Sequence, residues 1–380
     1  MSSPERPPSR CTFAHVDLDA LKSNFRAISD FLAAEPRQKI PGIIAVVKAN
    51  AYGHGAPATA LALQEAGASM LAVADIEEGI VLRNAGVTTE ILIFGALGVS
   101  DVEGVFDYRL TPTISTPGAG RSLMNAAAKR GVQLGCHLKI DTGMNRLGLR
   151  HDNLQYTLPE FVASKNLQIN GVYTHFATAD DPDLPLFHEQ RERFNRVLTR
   201  LPEFGVRPRL IHAANSAATL RDSRVWFDLV RPGLLMYGVV PPPLASTIPL
   251  KPVMSLRSRV VAVKGVRVGE IVGYGAHWTA PKPGRIAVIP AGYADGLDLR
   301  LAGRGSVLIR GRRAPIIGSV CMDMIMVDVA DVQVETGDEV VIIGSQGDDR
   351  IDVREIAATI GNNPYEVLCR VGTRIQRLYQ

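Results

Sequence analysis

Through the first two thirds of the chain, short apolar runs without strict alternation recur between longer stretches whose apolar residues return every three to four positions. The short runs suit strands covered on both faces, as in a parallel sheet; the longer stretches suit helices with one buried face. The pattern predicts strands near Ile43–Val47, Met70–Ala74, Ile91–Phe94, Leu110–Ile114, Leu134–Ile140, Ile169–Thr174, Arg209–Ala213 and Leu235–Tyr237. Between them it predicts helices at Leu18–Ala34, Pro57–Ala66, Glu77–Asn84, Gly118–Lys129, Leu186–Leu201 and Asn215–Asp222. Eight such units over about 235 residues fit a (β/α)8 TIM barrel, whose usual size is about 250 residues. A doubly wound open sheet stays as the alternative, because periodicity does not show closure.

The pattern then changes. Pro241, Pro242, Pro243, Pro249 and Pro252 crowd a segment that suits neither a helix nor an interior strand. Residues 12–240 are therefore assigned to the barrel, 241–253 to a Pro-rich linker and 254–380 to a smaller, mostly-β C-terminal domain. Its predicted strands are Ser258–Val263, Glu270–Tyr274, Arg285–Pro290, Ser306–Ile309, Ala314–Val329 and Glu339–Ile343. One helix, Asp352–Ile360, opens with an Asp-x-x-Glu cap and stops at Gly361-Asn362-Asn363-Pro364. Residues 1–11 read as a disordered tail: Met1–Ser9 is polar, holds three prolines and lacks the apolar stretch of a signal peptide.

Composition narrows the class. The 380 residues are 46% hydrophobic and 21% charged, with a net charge of +4 and no long basic block, so nucleic-acid binding is not indicated. No apolar run approaches the ~20 residues needed to span a bilayer. Cys11, Cys136, Cys321 and Cys369 are scattered without metal-ligand spacing and read as free thiols. A cytoplasmic protein with no metal site is expected.

The chemistry starts at Ala45-Val46-Val47-Lys48-Ala49-Asn50-Ala51-Tyr52-Gly53-His54-Gly55. Lys48 ends an apolar strand, where one-sided desolvation lowers an amine's pKa and frees it as a nucleophile. Tyr52, Gly53 and Gly55 offer a hydroxyl and backbone N–H groups of the kind a phosphate needs. An amine and a phosphate site this close point to a pyridoxal-phosphate Schiff base; a snorkelling lysine before an ordinary turn is the plain alternative. Asp141–Arg146, His175 and Asn215-Ser216 follow the fifth, sixth and seventh predicted strands, at the barrel face where active sites form. Each has a structural reading too. His175 suits a hydrogen-bonded core residue, and Asn215-Ser216 an N-cap that also offers a phosphate site. Arg231-Pro232-Gly233 suits a loop with a surface arginine, and Tyr274 a strand end. Asp323 lies in the apolar run Cys321-Met322-Asp323-Met324, where it needs a partner or water.

Together Lys48, Tyr52, Lys139, Arg146, Thr174-His175-Phe176-Ala177, Asn215-Ser216, Arg231-Pro232-Gly233, Tyr274, Pro290–Gly296 and Met322-Asp323 resemble, in order and context, the alanine racemases, from about Thr12 onward. The resemblance implies a pyridoxal 5'-phosphate enzyme interconverting L- and D-alanine with two bases, Lys48 for the D-enantiomer and Tyr274 for the L-enantiomer. Tyr274 would come from the partner subunit of a homodimer, as would Met322 and Asp323, which approach the substrate carboxylate. Arg146 would face that carboxylate, Arg231 the pyridine nitrogen, and Tyr52, Ser216 and the Gly233 N–H the phosphate. His175 and Asn215 complete the implied cofactor set, with Lys139, carbamylated to hold Arg146, and Tyr293 in support. The implied role is supply of D-alanine for peptidoglycan.

Two positions depart from the family pattern. Thr373 stands where many relatives have a tyrosine, and Ser319 where several have an arginine. Both loosen the expected pocket, which keeps a broader-specificity racemase for serine or other small amino acids as the alternative. A related barrel decarboxylase would want a carboxylate at the pyridine nitrogen, against Arg231. A non-catalytic cofactor carrier would leave the β domain without a purpose.

Overall fold

The computed structural model describes residues 10–95, 97 and 102–380; the expected tail lies outside these residues as far as Ser9. The chain divides into two units. One comprises Leu21–Ala51 and Ala56–Leu250; the other takes the residues up to Ala20, Tyr52–Gly55 and Lys251–Gln380.

The first unit is a parallel barrel. Its strands are Gly42–Val46, Met70–Val73, Ile91–Ile93, Thr113–Ile114, Leu134–Asp141, Leu167–Tyr173, Leu210–Asn215 and Leu229–Arg231. They neighbour one another in chain order, and the last pairs with the first, Leu229 opposite Gly42. The ring closes where Ile93 N–H donates to the Thr111 carbonyl at 2.9 Å and Thr111 N–H to that of Ile91 at 2.8 Å. That closure decides for the barrel over the open sheet. The strands are short and almost wholly buried, which is why they carry apolar runs instead of alternation.

Helices form where the apolar spacing places them, and local caps set their ends. Thr116 accepts from the Ala119 amide ahead of Pro117, and Gly131 stops that helix in a left-handed conformation. One predicted strand is corrected. Leu234–Tyr237 is a buried 3-10 turn, and the eighth strand is Leu229–Arg231. The segment is apolar because it is buried, and Pro232, which has no N–H, interrupts the ladder before it.

The second unit holds a ten-stranded sheet, antiparallel except at one edge. Phe13–Val16, inside the span assigned to the barrel, pairs here with Met254–Arg259 and, in parallel, with Gln376–Tyr379. Four residues carry no signal for a partner some 240 positions away. Three further predictions are corrected. Ser258–Val263 straddles two strands, Met254–Arg259 and Ala262–Val266, with the chain leaving the ladder at Val260 and Val261. Glu270–Tyr274 forms only the isolated bridge Ile271–Thr279, because Gly269 and Gly273 take positive φ. Ala314–Val329 splits into Arg312–Ile317 and Ile325–Asp328 around Gly318, where φ is +64° and a side chain would strike the Val272 carbonyl. The helix Val353–Ile360 is capped by Asp352 and stopped by left-handed Gly361, as its sequence predicts.

Candidate active site

Lys48 leaves the first barrel strand into a left-handed turn. Ala49, Asn50 and Ala51 have φ of 53°, 52° and 54° with ψ of 52°, 45° and 50°, and Tyr52 continues at φ 53°. An L-residue in this handedness costs about 1–2 kcal/mol, so runs of it are rare outside glycine. Here the strain falls on residues that have a Cβ, ahead of Gly53 and Gly55. The turn closes with the Ala51 amide on the Val47 carbonyl at 2.9 Å. Tyr52 is grouped with the second unit, where its ring centroid lies 5.9 Å from that of Tyr365.

Arg231, at the end of the eighth strand, is buried at 3% exposure and is no surface arginine. Its Nη2 donates to the carbonyls of Thr174 (2.8 Å) and Ala213 (2.9 Å) and lies 3.2 Å from His175 Nδ1; Nη1 lies 2.9 Å from His212 Nδ1. Among the described residues no carboxylate pairs with it, and its Nε–H makes no hydrogen bond. Burial pushes its pKa down to about 10. A guanidinium has only donors, so both Nδ1 atoms must accept and both imidazoles are neutral with their proton on Nε2. His212 then donates from Nε2 to His137 Nδ1 at 3.0 Å, which leaves the His137 Nε2–H buried without a partner among the described residues. Gly171 makes room for that ring, since a Cβ there would lie 2.6 Å from it. Tyr173 stacks on His212 with ring centroids 4.6 Å apart. Burial first, and then the Arg231 charge, hold His175 and His212 well below the usual histidine value.

Lys139, almost fully buried, is pushed down to about 8 by burial and then by the charges of Arg146, Arg231 and Lys48, with Asp141 opposing. Arg146 sits on a loop that Asp141 holds by accepting the Gly143 (2.9 Å) and Asn145 (3.1 Å) amides. Ser216 Oγ accepts the Gly233 amide at 2.9 Å, and Asn215 caps the helix Ser216–Arg221 through the Ala218 amide. The barrel thus gathers four cations, a hydroxyl with a neighbouring backbone donor, and a guanidinium edge. An anionic ligand with a phosphate and an acceptor nitrogen suits that donor set.

The second unit carries Tyr52, Tyr274, Tyr293, Met322 and Asp323. Tyr274 is 78% exposed, on a single 3-10 turn between Gly273 and Gly275, both with positive φ. Its carbonyl accepts from Ser319 Oγ at 2.7 Å, a contact the residue type alone does not announce. Tyr274, Tyr293, Met322 and Asp323 line one cavity of about 1270 Å³. Asp323 pairs with Arg374 at 2.8 Å, and Arg374 in turn contacts buried Asp295 at 3.2 Å.

Two family models cover nearly the whole chain: "Alanine racemase, N-terminal domain" at residues 16–241 and "Alanine racemase, C-terminal domain" at 253–379. The chain belongs to the alanine racemase family. It is 42% identical to the alanine racemase of Carboxydothermus hydrogenoformans over 97% of its own length and 100% of the relative's. The alanine racemase of Streptomyces lavendulae superposes with a TM-score of 0.93 at 35% identity, covering 99% of this chain and 98% of that one. The Bartonella henselae alanine racemase, whose structure has covalently bound pyridoxal phosphate, superposes at 0.87 and 29% identity, covering 98% and 100%.

Several residues of the chain escape a sequence reading. Gln190 is fully buried; it donates to Thr142 Oγ1 (3.1 Å) and the His175 carbonyl (3.0 Å) and accepts the Ala177 amide (2.8 Å). It ties together the loops after the fifth and sixth strands. Its signal is a polar residue on the apolar face of an amphipathic helix. For His137 and His212 the signal is an imidazole inside a strand that is otherwise buried and apolar. Among the described residues no helix is long and apolar enough to cross a membrane.

The neutral histidines make stability depend on pH. The unfolded chain protonates His137 near 6.5, whereas the folded protein resists until about 4. The unfolded state therefore binds more protons in that window, and stability falls as pH drops through it by ~1.4 kcal/mol per pH unit for each such group. A His137→Asn variant, which keeps an acceptor for His212, should take up about one proton fewer on unfolding near pH 5. Calorimetry in buffers of different ionisation enthalpy measures this; equal uptake in both proteins would show that His137 is not held neutral.

Proposed function

We propose that the protein interconverts L- and D-alanine using pyridoxal 5'-phosphate. Buried Arg231 carries this reading: among the described residues it has no carboxylate partner, and it is braced by two neutral imidazoles and keeps an Nε–H for an acceptor nitrogen. Lys48 would hold the cofactor covalently, Ser216, the Gly233 N–H and Tyr52 its phosphate, and Arg231 its ring nitrogen, with His175 and Asn215 bracing the surroundings. When bound, the cofactor supplies an electron sink that acidifies the substrate's Cα–H. A guanidinium only donates, so it leaves the ring nitrogen unprotonated and the sink weaker than a carboxylate, which would keep that nitrogen protonated, would make it. That favours return of the proton to Cα. Arg146 holds the substrate carboxylate, Lys48 Nζ exchanges the Cα proton on one face, and the Tyr274 hydroxyl does so on the other.

Tyr274, Met322 and Asp323 act from the partner subunit of a homodimer, with Tyr293 in support. The exposed apolar side chains of Ile271, Met322 and Met324 around Tyr274 support this, because such a patch calls for a cover. The D-alanine serves peptidoglycan synthesis in the cytoplasm. The test is a racemisation assay on L-alanine and L-serine with product chirality resolved by chromatography. Fast turnover of alanine is expected; none from a cofactor-loaded protein would overturn the reading.

Lys139 is the position for carbamylation. An amine near pKa 8 has a reactive neutral fraction at neutral pH, and the resulting anion would pair with Arg146. Native mass spectrometry in bicarbonate should show one added CO2 that is lost on acidification and absent in Lys139→Ala. An unmodified mass throughout would exclude it.

A further inference from the structure

The turn that carries Lys48 is strained, and part of its restraint comes from another element. The Ala49 amide donates to Glu78 Oε1 at 2.7 Å, and the Ala74 amide donates to Glu78 Oε2 at 2.8 Å. Glu78 is the third residue of the helix Ile76–Asn84, whose N-cap Asp75 accepts the Glu78 amide at 2.9 Å. In an Asp-x-x-Glu cap the glutamate ordinarily returns to the amide of the cap residue itself. Here it reaches one residue further back, to Ala74, and across to Ala49. A single carboxylate thereby joins the ends of the first and second barrel strands at the residue after the lysine. Charge-assisted bonds of this kind are stronger than neutral ones and fix direction. Two other contacts brace the flanks: Asn50 Oδ1 accepts the Ala56 amide at 2.8 Å, and the Tyr237 hydroxyl donates to the Val46 carbonyl at 2.9 Å. Neither holds the Ala49 amide.

We propose that Glu78 is a positioning residue whose carboxylate clamps the left-handed turn at Ala49 and so sets the direction in which Lys48 leaves its strand. This rests on the reading of Lys48 as the cofactor lysine. The clamp holds Ala49 where an alanine does not go unaided; a glycine would go there freely. Removing the clamp and relieving the strain should therefore compensate each other.

The test uses the full-length protein as Glu78→Ala, Ala49→Gly and the double variant. The dissociation constant for pyridoxal phosphate and the amide exchange of residues 49–51 are measured, the exchange both with and without cofactor. Glu78→Ala should weaken cofactor binding by roughly 10- to 100-fold and speed exchange in the turn, with the rest of the barrel unchanged. Ala49→Gly in that background should recover most of the affinity. Unchanged affinity and exchange in Glu78→Ala, or a loss that Ala49→Gly does not reduce, would overturn the clamp. If Glu78→Ala does not fold, Glu78→Gln keeps the side chain's shape and one acceptor but turns an NH2 toward the other amide. It should speed exchange at Ala49 or at Ala74, whichever amide then faces the NH2, and protection of both amides as in the wild type would be decisive against the proposal. A wild-type protein that binds no pyridoxal phosphate would sink the reading of Lys48, while exchange in the cofactor-free proteins still decides whether Glu78 holds the turn.

Discussion

Lys48→Arg is expected to fold, keep the positive charge and lose racemisation by at least about 10⁴-fold. The loss has two sources. A guanidinium stays protonated, so it neither attacks the cofactor's aldehyde nor accepts a proton from Cα. Charge is not what the site lacks, because Lys139, Arg146 and Arg231 already place positive charge near His175 along with Lys48. The variant therefore separates the amine's chemistry from its electrostatics. Chiral chromatography of alanine and the absorbance of bound cofactor measure the two effects. Activity within about tenfold of wild type would remove Lys48 from the mechanism, since one general base alone contributes about 10²–10⁴.

Tyr274→Phe should produce an asymmetric loss. Exchange of the L-alanine Cα hydrogen with solvent deuterium should fall by about 10²–10⁴-fold, while exchange from D-alanine persists through Lys48. An equal fall from both enantiomers would mean that the tyrosine is not a face-specific base. Co-expression with a Lys48→Ala chain then tests whether the site is shared. If each site combines one subunit's lysine with the partner's tyrosine, a mixed dimer of the two inactive chains has one intact site, and activity returns. If Tyr274 serves its own chain, no combination is intact and the mixture stays inactive. The exposure of Tyr274 and its placement on a turn held by Ser319 favour the shared arrangement.

Most helices and barrel strands were legible because their signals are local. Leu18–Ala34 is set by apolar spacing, Ser216–Arg221 by the Asn215 cap, and the helix after Asp352 by a cap and a stopping glycine. The misassigned strand at Leu235–Tyr237 shows the limit of that signal. An apolar run reports burial, and a buried 3-10 turn is as apolar as a buried strand. Within the site, Lys48, Arg146, His175 and Ser216 stand out in sequence as polar groups at or just after strand ends, whereas Lys139 and Arg231 are singled out only by the family resemblance; all fall in the barrel unit. Gln190, His137 and His212 do not, because they act through other residues whose positions only folding reveals. Glu78 is a further case, an apparent helix cap whose carboxylate reaches the lysine turn.

By itself the sequence determined the alternation of strands and helices, the helix ends and the lysine at the end of the first barrel strand. These follow from residues within a few positions of one another, where periodicity, capping and proline geometry act. Tertiary structure alone decided closure of the barrel, the transfer of Phe13–Val16 to the second sheet and the burial of Arg231, which among the described residues pairs with no carboxylate. It also decided the neutral state of the histidines and the left-handed path after Lys48. Each of these depends on hydrogen bonds between groups far apart along the chain, such as His137 with His212 or Ala49 with Glu78. Such pairings leave no periodic trace in either partner's neighbourhood, because what they satisfy is a buried polar group and its geometry, and neither exists until the chain has folded.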